Sequence, residues 1–488
     1  MMRHPHRLIL LAFALIALPT HADAPLPRAS AALQLPELGR SADQVVDHGT
    51  EMRLGQAWLR QLRASTPTWP DPLIGDYLEN LLYKLSLQTT LQDPRFSLVV
   101  VDDTSVNAFA VPGEVVGVNT GLLLTSETEG ELAGVLSHEL GHLSQRHFAR
   151  SQQDNQASQW IALGGLLASI AAAAAAGPAS GNLGYAAGLS AQALAAQSQL
   201  RYSRAYEQEA DRIGMQTLTD AGYDPRAMPA FFLRLDRSTR QLGFLPEFLL
   251  THPLSSSRLS DLERRVSDTP RKLTAEDPTF SLMQVRLQVA YHAQPEELVN
   301  AWRKQQAEGS APENVRYGLA LALLRLNQIE AAREQLQPLL QASPSRLAYR
   351  VAALDIRLAQ RDYAGALQAG LQDMAWYPLR RSVLERTTRA ALALNQPERI
   401  RERLETEARR VGNDPLLWRL LSDCATSQKD ALTVFRARAE LMYLTNRMRA
   451  AEDQLRNAIK LARGNYSLTA QLEHRLGEMR ALDGEFRR

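Results

Sequence analysis

Apolar residues recur at helical spacing over residues 43–64 and again over 72–87, with polar residues between them, so two amphipathic helices are expected to open the globular part of the chain. The period then shortens. Residues 96–101, 108–111 and 115–118 are short runs of strand-forming side chains, with the turn formers Pro112 and Gly113 between the last two, which predicts a small sheet. Helical spacing returns near Ser126, where Ser126 and Glu129 have the spacing of a capping box and Leu132, Val135, Leu136, Leu140 and Leu143 continue the apolar stripe. A further helix is expected over residues 203–221, stopped by Gly222 and Pro225.

Between these two helices the pattern is lost. Residues 160–176 are almost wholly apolar and end at Gly177 and Pro178, and residues 181–196 are small and rich in Gly and Ala. An Ala-rich helical hairpin packed on its own domain is one reading, and an element that touches a membrane or covers the site is the other. After about residue 270 the chain turns to paired amphipathic helices rich in Ala, Leu, Arg and Gln, without strand signals. Pro312, Pro344, Pro378 and Pro415 stand 32, 34 and 37 residues apart, with helix pairs such as 315–326 and 329–340 between them. That period matches tetratricopeptide repeats; the consensus small residues are only partly present, as at Gly318, Ala331 and Ala332, and a generic α-solenoid is the alternative.

Length adds that 488 residues suffice for two or three domains, each with its own core. Lys and Arg total 55 against 53 Asp and Glu, so no global field favours nucleic acid as a partner. The first 24 residues read as an export signal, with Arg3 and Arg7, an apolar stretch over residues 8–18 and an A-x-A site at Ala22–Asp23–Ala24, so a periplasmic protein starting at Pro25 is expected. The apolar run is too short for a spanning helix, which makes a retained anchor the weaker reading. Cys424, the single cysteine, excludes an internal disulfide.

The chemistry concentrates in His138–Glu139–Leu140–Gly141–His142, an HExxH motif on an expected helix. Residues i and i+4 lie on one face about 6 Å apart along the axis, so both imidazoles can reach one ion while Glu139, rotated by about 100°, faces a water beside it. On the next helix Glu207 can complete a three-ligand zinc site, and Asp211, one turn on, can accept the free N–H of a ligating imidazole. His147 and His48 have no partners at metal spacing and read as surface residues.

Ser137 to His142, followed by Glu207-x-x-Ala210–Asp211, resembles the HExxH zinc peptidases related to CAAX prenyl proteases. The resemblance implies an α+β, mostly helical zincin-type catalytic domain over residues 25–268, with an all-α tetratricopeptide solenoid over 269–488. It further implies one Zn2+ per chain on His138, His142 and Glu207, with Glu139 as the base and Asp211 in support. His252, in Thr251–His252–Pro253–Leu254, matches a histidine that can take the fourth metal position and hold the enzyme latent. Arg258 matches an arginine placed to stabilise the oxyanion. Asn107, Ala108, Phe109 and Ala110 resemble an edge strand along which an extended substrate adds. The implied clients are unfolded or misassembled outer-membrane proteins, with the beta-barrel assembly machinery bound through the repeats and peripheral membrane contact through residues 160–176. Competing readings are a repeat scaffold with a latent site and a membrane-integrated metalloprotease.

Overall fold

The computed structural model describes residues 47–91, 93, 95–154, 202–242, 246–267, 277–309 and 312–485. The expected export signal and the Ala-rich segment, with its possible membrane contact over 160–176, lie outside the described residues. Among the described residues, no helix is long and apolar enough to cross a membrane.

The two opening helices form as the periodicity predicts. Helix α1 (His48–Ser65) is capped by Asp47, whose carboxylate accepts from the Thr50 N–H. Helix α2 (Pro72–Ser86) begins with proline at its first position, and Asp71 caps it through the Leu73 N–H. Strands β1 (Ser97–Val101), β2 (Ala108–Val111) and β3 (Val115–Asn119) form one sheet in the order β1-β3-β2, with β3 parallel to β1 and antiparallel to β2. The strand alternation sorts the side chains. Val99, Val101, Phe109, Val111 and Val115 meet Leu59 and Leu62 of α1, while Ala108, Val116 and Val118 join the main core on the opposite face.

A short apolar helix, α3 (Thr120–Thr125), separates the sheet from the motif helix α4 (Glu129–Ser144). This moves the expected capping box. Ser126 ends α3, and the box is built instead by Thr128 and Glu131: the Thr128 hydroxyl accepts from the Glu131 N–H, and the Glu131 carboxylate accepts from the Glu127 N–H. Helices α5 (His147–Asp154), α6 (Arg204–Asp220), α7 (Ala227–Leu242), α8 (Glu247–Thr251) and α9 (Ser256–Ser267) complete this half. Ser203 caps α6 through the Tyr206 N–H, and Gly222, at φ 95°, follows its end.

The rest of the described chain is a succession of helices from α10 (Thr279–Tyr291) to α21 (Tyr466–Glu485); α10 packs on the second helix after it, and from there on each helix packs on the next in sequence. Left-handed residues at the turns recur at intervals of 34, at Asn327, Arg361, Asn395 and Lys429. The chain is thus mostly helical around a small sheet, with an all-helical C-terminal region. Buried charge joins the two halves. Asp71, the α2 cap, lies between Arg286 of α10 and Arg386 of α16 (Arg381–Ala393), and Asp76 of α2 accepts from the Arg381 and Ser382 N–H groups at the start of α16.

Candidate metal centre

Helices α4 and α6 pack closely, and the contact depends on two glycines. A Cβ on Gly141 would stand 2.9 Å from the Ala210 carbonyl oxygen, and one on Gly214 would stand 2.9 Å from both N and Cα of His138. The buried face of α6 runs through Glu207, Ala210, Asp211, Gly214 and Leu218, a helical stripe that turns two carboxylates toward the motif helix. The backbones approach because no side chain intervenes, and this brings Glu207 to both histidines.

His138 Nε2 lies 3.1 Å from His142 Nε2, and the Glu207 carboxylate lies 3.5 Å from each of these nitrogens. His252 Nδ1 is 3.3 Å from His138 Nε2 and 3.0 Å from Glu207 Oε1. A tetrahedral zinc site with bonds of 2.0–2.1 Å has edges of about 3.3–3.4 Å. These five edges have the spacing of a zinc shell, the four donor atoms all lie within 4.8 Å of one another, and all four residues are buried.

The surroundings orient these donors. Asp211 Oδ1 is 3.0 Å from His138 Nδ1, and Arg258 lays Nε and Nη2 on the Asp211 carboxylate at 2.7 Å each. The remaining Arg258 nitrogen, Nη1, donates to the Pro253 carbonyl at 2.9 Å and pairs with Glu207 at 2.8 Å. The guanidinium is 1% exposed, so its fork serves the two carboxylates and the chain beside His252. Glu139 is also buried, 3.4 Å from His252 Nε2, and accepts from the Ala110 N–H. Burial raises the Glu139 carboxyl above its ordinary range, with His252 and His138 opposing. Burial acts the same way on Glu207, but His252, His138 and His142 outweigh it and hold Glu207 well below that range.

Two histidines read as surface residues part company. His48 is exposed, whereas His147 is fully buried, which corrects the reading from the sequence. Helix α4 ends at Ser144, Arg146 turns the chain at φ 49°, and α5 starts at once, folding His147 back under His142 with Nδ1 to Nδ1 at 2.9 Å. His147 Nε2 lies 3.3 Å from Glu209 on α6, a carboxylate the sequence reading did not single out. No glycine marks the reversal, so the sequence carried no conventional turn signal for it.

The stretch 107–110 lies beside the centre. Strand β2 is an edge of the sheet, and the Asn119 N–H donates to the Asn107 carbonyl, so the alternation of an antiparallel pair directs the backbone groups of Ala108 and Ala110 to the open side. The Ala110 N–H meets Glu139 there. Four residues before Ala110, the Val106 carbonyl accepts from the Phe248 N–H of α8, the segment that ends at His252.

Residues 74–266 match the model of Peptidase family M48. The chain is 31% identical over 463 residues to the beta-barrel assembly-enhancing protease of Escherichia coli (strain K12), covering 94% of each chain. With the protein of the same name from Yersinia pestis it shares 32% identity over 457 residues, 93% of each. It is 31% identical over 201 residues to the mitochondrial metalloendopeptidase OMA1 of Schizosaccharomyces pombe, 41% of this chain and 56% of that one.

Proposed function

The chain belongs to peptidase family M48 and is a zinc metallopeptidase, and on that premise we propose that it is a periplasmic endopeptidase, with a chaperone role, in quality control and assembly of outer-membrane beta-barrel proteins. The observation that carries the reading is the convergence of His138, His142 and Glu207 at zinc-shell spacing with Glu139 beside them. In it, these three residues hold the metal, which when bound supplies Lewis acidity at the reacting carbonyl. Glu139 takes the proton of the attacking water on its carboxylate and returns it to the departing amine. Asp211 keeps His138 turned to the metal, and Arg258 clamps Asp211 and Glu207. A client strand adds along Ala108 and Ala110, which suits unfolded chains because backbone pairing tolerates many side chains.

Residues 25–268 form the peptidase domain in this reading, and 269–488 a tetratricopeptide domain that docks to the barrel assembly machinery. The 34-residue interval of the left-handed turns supports that repeat type. Replacing Glu139 by Gln is expected to slow degradation of a stalled barrel precursor by at least about 100-fold while one zinc per chain is retained. Undiminished degradation, or no zinc in the unchelated wild type, would overturn the reading.

A latent resting state is favoured by His252. Its Nδ1 fills the fourth corner of the donor set, and its Nε2 faces Glu139. Its segment is tied down by the Phe248 N–H on Val106, and by Glu247, which accepts from Ser105 Oγ at 2.7 Å. An incoming strand that extends past Ala108 meets that tether on the same open edge, so client binding and withdrawal of His252 are coupled.

A further inference from the structure

We propose that His147 is a positioning residue of the metal centre: it fixes the tautomer and plane of His142 and is itself held by Glu209. The proposal rests on the zinc-peptidase reading and extends it to a residue outside the HExxH motif.

Two imidazole nitrogens 2.9 Å apart, Nδ1 of His142 and Nδ1 of His147, form a hydrogen bond only if one bears a proton and the other does not. Nε2 of His142 points into the donor set, so when it ligates a metal the ring's proton sits on Nδ1 and that nitrogen is the donor. His147 Nδ1 is then the acceptor, which leaves the His147 proton on Nε2, facing the Glu209 carboxylate at 3.3 Å. Glu209 is held in turn by Arg150 Nη1 at 3.1 Å. The direction of the whole chain follows from the metal end: each proton has one place to go, and it ends on a carboxylate paired with a guanidinium.

Packing fixes the rings as well as the protons. His147 has no exposed surface and stacks on Tyr206 at 4.7 Å, and Arg150 lies over that tyrosine at 4.8 Å. His142 stacks on Tyr202 at 4.2 Å. The two metal-binding histidines thus have different supports. His138 Nδ1 faces an ionised carboxylate, Asp211, whereas His142 Nδ1 faces a second imidazole that passes the demand to Glu209. An outer partner of a metal-binding histidine is worth 10–100-fold in metal affinity.

The test is zinc retention of the full-length mature protein, read as the rate of zinc transfer to a chromogenic chelator. His147→Phe keeps an aromatic ring against Tyr206 but removes the acceptor, and is expected to release zinc about 10–100 times faster than wild type. His147→Asn offers an amide oxygen to His142 and is expected to stay within about threefold of wild type. Melting of the metal-free proteins separates this effect from a folding defect, because the Phe variant should melt within a few degrees of wild type once zinc is stripped from both. Zinc release from the Phe variant at the wild-type rate would overturn the proposal, as would equal losses in the Phe and Asn variants. Failure of the wild type to bind zinc would instead overturn the zinc-peptidase reading on which the proposal rests.

Discussion

The closeness of α4 and α6 makes Gly214→Ala a sharp test of how the centre is built. The added methyl would lie 2.9 Å from N and Cα of His138 and 3.0 Å from the Ser137 carbonyl carbon, all backbone atoms of a buried helix. Carbon contacts settle at about 3.5–4.0 Å, so the helices must separate by roughly 0.6 Å. Glu207 lies two turns up the same face of α6, and the shift lengthens its 3.5 Å edges to both histidines toward 4 Å. Metal shells tolerate departures of about 0.2 Å, so zinc affinity is expected to fall at least tenfold, or about 1.4 kcal/mol. Overpacking costs about 1–3 kcal/mol, while replacing a helical glycine by alanine returns up to about 1 kcal/mol, so the metal-free protein should lose roughly 1 kcal/mol. Gly75→Ala is the control. Its Cβ meets nothing within 4 Å on α2, so that variant should gain about 0.5–1 kcal/mol and bind zinc unchanged. The assay is chemical unfolding of the stripped proteins with zinc titration by competition. Wild-type zinc affinity in Gly214→Ala, or stabilisation matching that of Gly75→Ala, would refute the argument that helix proximity sets the ligand geometry.

Two other perturbations probe the joint between the halves and the proposed role of His252. Asp71 is held well below the usual carboxylate range because Arg286 and Arg386 outweigh its burial. It therefore contributes stability that is fully present above its unfolded value of 3.8 and is lost as pH falls below it. Asp71→Asn should lower stability by roughly 3 kcal/mol at pH 7, with the gap to wild type narrowing below about pH 4; a gap independent of pH in thermal melts would remove the ionic account. Replacing His252 by Ala is expected to raise the initial rate of cleavage of an unfolded client several-fold at unchanged zinc content, measured with client below saturation. An unchanged rate would show that this imidazole does not restrain the resting enzyme.

The sequence carried the parts of this molecule whose signals are local. HExxH on an amphipathic helix, the two opening helices and the three short strands all follow from periods of two or 3.6 residues within one element. What escaped depends on junctions. Residues 120–125 are too short and too uniformly apolar to show a helical period, so α3 went unseen and the capping box was placed on Ser126 rather than on Thr128 and Glu131. His147 escaped because the chain reverses at Arg146, a residue type that seldom adopts positive φ. The clamp formed by Arg258 escaped for another reason: Asp211 and Glu207 lie far away in sequence, and no pattern within α9 says which carboxylates its guanidinium will meet.

Charge gives a reason why this centre needs an ion at all. Glu139, Glu207 and Asp211 are buried together, and Arg258 is the guanidinium packed among them. Its two short bonds to Asp211 pair that carboxylate, and the shared contact with Glu207 does not discharge a second one. Buried charges persist when paired or when they coordinate metals. With every metal-ligating imidazole neutral, as ligation requires, and Glu139 ionised, Glu139 and Glu207 leave two negative charges among buried groups, which a dication at the His138, His142 and Glu207 corners would balance. In the proposed mechanism the same count links the two carboxylates. Glu139 contributes to the field that holds the metal, so Glu139→Gln should weaken zinc binding slightly even as it abolishes proton transfer, whereas Glu207→Ala removes charge and ligand together and should lose the metal outright.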